Sequence, residues 1–125
     1  MKTNTLKPFV LVATFLLSFC FLQTAWGEPE IPVKDTVTMV DLGSTSCIPC
    51  KMMEPVLENL TKEYKGRAAI LFVDVMKDRE MARKFNIRAI PTQVFFDTSG
   101  KEVWRHAGFL DQKTIEGKLN TLLGK

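Results

Sequence analysis

Hydrophobic and polar residues alternate between two periods along the chain, and the switches mark its elements. Thr36-Val37-Thr38-Met39-Val40-Asp41-Leu42 is apolar and β-branched and predicts a buried strand. From Lys51 to Tyr64 the apolar residues Met53, Val56, Leu57, Leu60 and Tyr64 fall on one helical face. This predicts a helix over about 49–65, kinked at Pro55 and ended at Lys65-Gly66. Ala68 to Val75 is a continuous apolar run and predicts a strand buried on both faces, Phe72 included. Asp78 caps a predicted short helix through Phe85, with Met81, Ala82 and Phe85 inward. Thr92–Phe96 and Glu102–His106 form a predicted hairpin about the turn Asp97-Thr98-Ser99-Gly100. Asp111 caps a last helix to Leu123, with Ile115, Leu119, Leu122 and Leu123 apolar. Strand, helix, strand implies a parallel pair with a right-handed crossover. The whole order, β-α-β-α-β-β-α, predicts an α/β fold: a mixed sheet with helices on both faces. Glu28 to Asp35, with Pro29 and Pro32, reads as an extended lead-in.

The N-terminus follows another logic. Lys2 and Lys7 precede a 14-residue apolar run, Phe9 to Leu22, and small residues stand at Ala25 and Gly27. This layout predicts a secretory signal over residues 1–27, cleaved after Gly27, and a domain over 28–125. An uncleaved N-terminal anchor is the alternative, although the run is short for a membrane span. Lipidation at Cys20 is disfavoured by the bulky Phe19 before it. Export would place the protein in a periplasmic, oxidising compartment with two cysteines, both in one motif.

Composition narrows the class. The chain has 125 residues, 46% of them hydrophobic, enough for one compact domain. Residues 1–27 hold two of the 17 basic residues and none of the 14 acidic ones. The remainder is near neutral and offers no basic footprint for nucleic acid.

The chemistry sits in Cys47-Ile48-Pro49-Cys50, where the first strand turns into the first helix. Two thiols at this spacing can close into a small disulfide ring. The free N–H groups of a helix start favour an anion, so a thiolate there has a lowered pKa and is the reactive form. Half of a zinc site is one rival reading, but zinc wants four ligands, and outside the motif only Cys20 and His106 remain as cysteine or histidine. An inert staple is another, but so short a loop gains little from closure. Redox chemistry is favoured over both.

The chain resembles the thioredoxin superfamily over nearly all of residues 36–123, in the manner of a small exported, periplasmic-type member. The likeness rests on Val40-Asp41, on Cys47-Ile48-Pro49-Cys50-Lys51-Met52, on Pro55, on Ile87-Arg88-Ala89-Ile90-Pro91-Thr92, and on Gly108 before the last helix. It implies a thioredoxin fold and a thiol–disulfide oxidoreductase that needs no bound cofactor, its redox centre being the Cys47–Cys50 disulfide. Cys47 would be the exposed nucleophile and Cys50 the buried resolving thiol. Pro91 would be a cis-proline facing the disulfide, and the Ile90 backbone would pair with an extended substrate. Asp41 would be a buried carboxylate taking the proton of Cys50. Ser46, Ile48, Pro49 and Gly108 complete the expected substrate surface, with Met52 beside it. Implied partners are cysteine-containing client proteins and a membrane electron donor; the expected state is a monomer without metal. A disulfide oxidant or isomerase is the alternative within the class, and a redox-inactive binding module the alternative outside it. Three departures stand out. Ser46 replaces the family's usual tryptophan, Ile48 its common glycine, and residues 28–35 a longer strand-and-helix portion, which leaves one sheet edge less protected. His106 and Trp104 read as structural, and Phe95, Phe96 and Met53 as core.

Overall fold

A computed structural model describes residues 30–125. The predicted leader over 1–27, with Cys20, lies outside the described residues. Four strands and three helices follow in the expected order: β1 (Val37–Gly43), α1 (Ile48–Glu63), β2 (Ala68–Asp74), α2 (Arg79–Lys84), β3 (Thr92–Phe96), β4 (Glu102–Ala107) and α3 (Gln112–Leu122). They form one mixed sheet in the order β2-β1-β3-β4. β1 runs parallel to β2, the two being joined through α1, and antiparallel to β3.

The apolar runs explain the placement. β1 and β3 are buried at every position, as interior strands covered on both faces must be. On one face Val37, Met39 and Phe95 pack against Met53, Leu60 and Tyr64 from α1 and its end, and against Ile115 and Leu119 of α3. The Tyr64 hydroxyl donates to Asn120 Oδ1 at 3.1 Å and ties the end of α1 to α3. On the other face Val40, Leu42, Val94 and Phe96 meet Phe85, with Met81 and Ala82 of α2 against them. Trp104 packs on Phe95 with ring centroids 5.2 Å apart, and His106 is half-buried.

The starts of α2 and α3 are capped as the sequence predicts. Asp78 accepts from the Met81 N–H and Asp111 from the Thr114 N–H, both at 3.0 Å. The β3–β4 turn closes on Asp97 Oδ1, which accepts from the Ser99 and Lys101 N–H groups at 2.9 and 3.1 Å. Gly100 takes the left-handed conformation there, φ 78°.

Two expectations are corrected. β2 is an edge strand, so its residues are partly covered rather than buried, and Phe72 is 44% exposed rather than core. A continuous apolar run does not distinguish an interior strand from an edge strand packed mainly through one face. The described part of the lead-in is not extended. Thr36 N–H donates to the Val33 carbonyl, and Asp35 takes a left-handed φ of 54°, so the chain bends into β1. Ile31 is buried in the α2-side cluster, and Lys84 Nζ donates to its carbonyl at 3.1 Å.

Candidate active site

The site forms at the C-terminal end of β1. Gly43 ends the strand, and Ser44-Thr45-Ser46 turns the chain into α1. The loop is pinned at each step. Ser46 N–H donates to Ser44 Oγ at 3.2 Å, Cys47 N–H donates to the Ser44 carbonyl at 3.2 Å, and Thr45 Oγ1 donates to Asp74 Oδ2 at 3.2 Å. Cys47 is the N-cap of α1, and its sulfur accepts the Cys50 backbone N–H at 3.3 Å. A helix start thus directs an orphan N–H at this sulfur, an arrangement that favours its thiolate when the bond is open. Cys47 and Cys50 are joined in a disulfide, Cα atoms 5.2 Å apart. The two sulfurs are unequally placed: Cys47 is partly exposed, whereas Cys50 is 3% exposed.

Gly43 makes that burial possible. A Cβ there would lie 3.2 Å from Phe72 Cε2 and 3.3 Å from Cys50 Sγ. Cys50 and the Phe72 ring therefore meet over the glycine. Pro91 approaches from the other side. Thr92 pairs with Leu42, so Pro91 lies one step beyond it, alongside Gly43. The Ile90–Pro91 bond is cis. The Pro91 carbonyl accepts the Gly108 N–H at 2.8 Å, and Thr92 Oγ1 donates to the Ala89 carbonyl at 2.8 Å. Gly108 takes φ 101°, which only glycine adopts readily.

Asp41 lies two residues before Gly43, on the same face of β1 and with no exposed surface. Gln93 Nε2 donates to Asp41 Oδ1 at 2.7 Å. Burial pushes the Asp41 pKa up to about 6, and the Gln93 hydrogen bond pulls in the opposite sense. Gln93 escapes a reading of motifs. Its signal is a polar residue followed by the apolar run Val94-Phe95-Phe96, on the same face of the strand as Phe95.

The rim is apolar. Ile48 is 76% exposed at the tip of the helix start, and Met52, Phe109 and Met76 are also exposed. The Val75 N–H bonds the Gly43 carbonyl, which brings Met76 to the same end of the sheet. All nine sequence-predicted residues thus gather at this end: Asp41, Ser46, Cys47, Ile48, Pro49, Cys50, Ile90, Pro91 and Gly108. No cluster of three or more His, Cys, Asp or Glu side chains that could hold a metal occurs among the described residues.

A family model described as Thioredoxin matches residues 22–121. The chain belongs to the thioredoxin family. It is 39% identical over 83 residues to the thioredoxin of Staphylococcus aureus, an overlap of 66% of this chain and 79% of the relative. The thioredoxin of Staphylococcus saprophyticus matches to the same extent. Membership makes the chain a thiol–disulfide oxidoreductase whose redox centre is its own Cys47–Cys50 pair. Thioredoxins act on cysteine-containing substrate proteins, and the apolar rim around Cys47 is a surface on which an unfolded or extended segment can lie.

Proposed function

We propose that this member of the thioredoxin family reduces disulfides of exported proteins. The observation that carries the reading is the pairing of a partly exposed Cys47 sulfur at a helix start with a buried Cys50 and a buried Asp41. Each group then has one task. The Cys47 thiolate attacks a client disulfide, forming a Cys47–client mixed disulfide and releasing one client thiolate. The Asp41 carboxylate takes the Cys50 proton, and the Cys50 thiolate attacks the Cys47 sulfur. The internal disulfide forms, and the second client thiolate leaves and takes up a proton. Pro91 and the Ile90 backbone position the client strand, with Ser46, Ile48, Pro49 and Gly108 around it. Regeneration needs two electrons and two protons. In an oxidising compartment that supply is a membrane donor passing electrons from within, and a monomer leaves the rim free for donor and client in turn. Lys2, Lys7, the Phe9–Leu22 run and Ala25-Trp26-Gly27 support export.

Trapping tests the roles. Cys50→Ser is expected to accumulate mixed disulfides with clients in an exported extract, because attack proceeds and resolution does not. Cys47→Ser is expected to trap far fewer. Equal trapping by both variants would refute the assignment. The reduction potential of the pair tests direction: a value near that of the strong oxidant class, about −120 mV, would make the protein an oxidant instead.

A further inference from the structure

Strand register places four side chains in one row across the face of the sheet that α1 and α3 cover. Phe72 pairs with Asp41, Asp41 with Gln93, and Gln93 with His106. Asp41 and Gln93, the middle two, have no exposed surface. An amide buried as fully as that of Gln93 costs stability unless its polar atoms are matched. Only half of them are. Gln93 Nε2 reaches Asp41 Oδ1 at 2.7 Å, while Gln93 Oε1 and Asp41 Oδ2 are buried with no partner.

We propose that Gln93 is a positioning residue for the proton step at the disulfide, its amide holding the Asp41 carboxyl and matching both of its protonation states. The inference rests on the reading of Asp41 as proton acceptor for Cys50. When Asp41 is ionised, the amide N–H stabilises the carboxylate. The two orphan atoms are then both acceptors. A proton delivered from the Cys50 thiol to Asp41 Oδ2 turns one orphan into a donor, and Gln93 Oε1 is the acceptor the same amide offers. No bond has to be rebuilt elsewhere. The neighbouring groups leave this task to Gln93. β2 presents Phe72 to Asp41, and Asp74 is engaged with Thr45 and Met76. On β4, His106 Nε2 lies 3.2 Å from the Phe109 carbonyl. On α1, Cys50 faces inward while Lys51 and Glu54 are exposed. On α3, Lys118 lies over Trp104.

Magnitudes give the direction of the effect. A hydrogen bond to a charged group is worth more than one to a neutral group. Losing the amide therefore removes more from the carboxylate than from the acid, and the Asp41 pKa rises. The test replaces Gln93 by the isosteric apolar methionine in the full-length chain. Carbon-13 NMR follows the Asp41 carboxyl in the oxidised protein, and insulin reduction with a dithiol donor is profiled over pH. In Gln93→Met the Asp41 titration and the acidic limb of the rate profile are expected to move together, upward by about one pH unit. Gln93→Asn, which keeps an amide one methylene shorter, is expected to shift both by less, and serves alone if the methionine variant does not fold. An Asp41 titration that stays put in these variants overturns the proposal, as does a rate lowered equally at every pH. Asp41→Asn separates the two readings. If it keeps the wild-type limb, the acceptor role of Asp41 fails, and the catalytic half of this proposal with it. A carboxyl titration that still follows Gln93 would then show the coupling to be purely structural.

Discussion

Asp41 binds its proton more tightly in the folded chain than in the unfolded one, its pKa standing at about 6 against 3.8. The sign of the linkage follows. A raised carboxyl pKa means that the native state holds more protons than the unfolded state between about pH 4 and pH 6, so stability falls as pH rises through that window. Above pH 6 the cost is complete, and a shift of this size corresponds to roughly 3 kcal/mol. Asparagine carries no charge at any pH and keeps an oxygen for the Gln93 amide. Asp41→Asn is therefore expected to stabilise the oxidised protein by about 1–3 kcal/mol at pH 7.5 and to leave it unchanged near pH 4. Urea unfolding at the two pH values measures this. A gap of equal size at both would assign the effect to packing rather than charge. The same variant is expected to reduce insulin more slowly near neutral pH, since Cys50 would lose its proton acceptor. Stability gained and rate lost at one residue is the pattern of a group retained for chemistry.

Among the elements, the join of β1 to α1 decides how the cysteines behave, and Gly43 is its tightest point. A Cβ there meets two neighbours of different freedom. The Phe72 ring is half-exposed on an edge strand and can swing away, whereas Cys50 Sγ is buried and tied to Cys47. Gly43→Ala is thus expected to overpack the oxidised form by about 1–3 kcal/mol. The reduced form should suffer less, because its Cys50 side chain is free to rotate. A difference of about 1.4 kcal/mol between the forms would raise the reduction potential by about 30 mV. Thermal unfolding of both forms, with a glutathione titration, checks the claim; equal losses in the two forms would contradict it. This join was legible in the sequence because each part has a local signature: a β-branched run, a C-x-x-C pair, then helical spacing. The turn at Asp97–Gly100 and the caps Asp78 and Asp111 were legible for the same reason. Phe72 was not, since what covers a strand depends on which strands flank it. Gln93 was not either, because its meaning arises from a cross-strand pairing with Asp41, 52 residues away in the chain.

At the scale of the whole molecule, every described element lies between Val37 and Leu122, and the earliest core residue is Ile31. Among the described residues, the two clusters that hold the sheet begin at Ile31. The proposed export puts cleavage after Gly27, where Ala25 and Gly27 are small and Glu28 follows. Two outcomes are expected. Protein recovered from the exported fraction should begin at Glu28 by mass spectrometry. A chain comprising residues 28–125 should unfold at the same temperature, within about 2 °C, as the full-length chain, a margin well below the shift of about 4–8 °C that a 1 kcal/mol loss gives in a domain of this size. Full-length protein in the membrane fraction would favour the uncleaved anchor. It would leave the chemistry at Cys47 intact but restrict clients to those within reach of the membrane. A 28–125 chain that unfolds several degrees lower would instead show that the residues before Glu28 contribute to the fold.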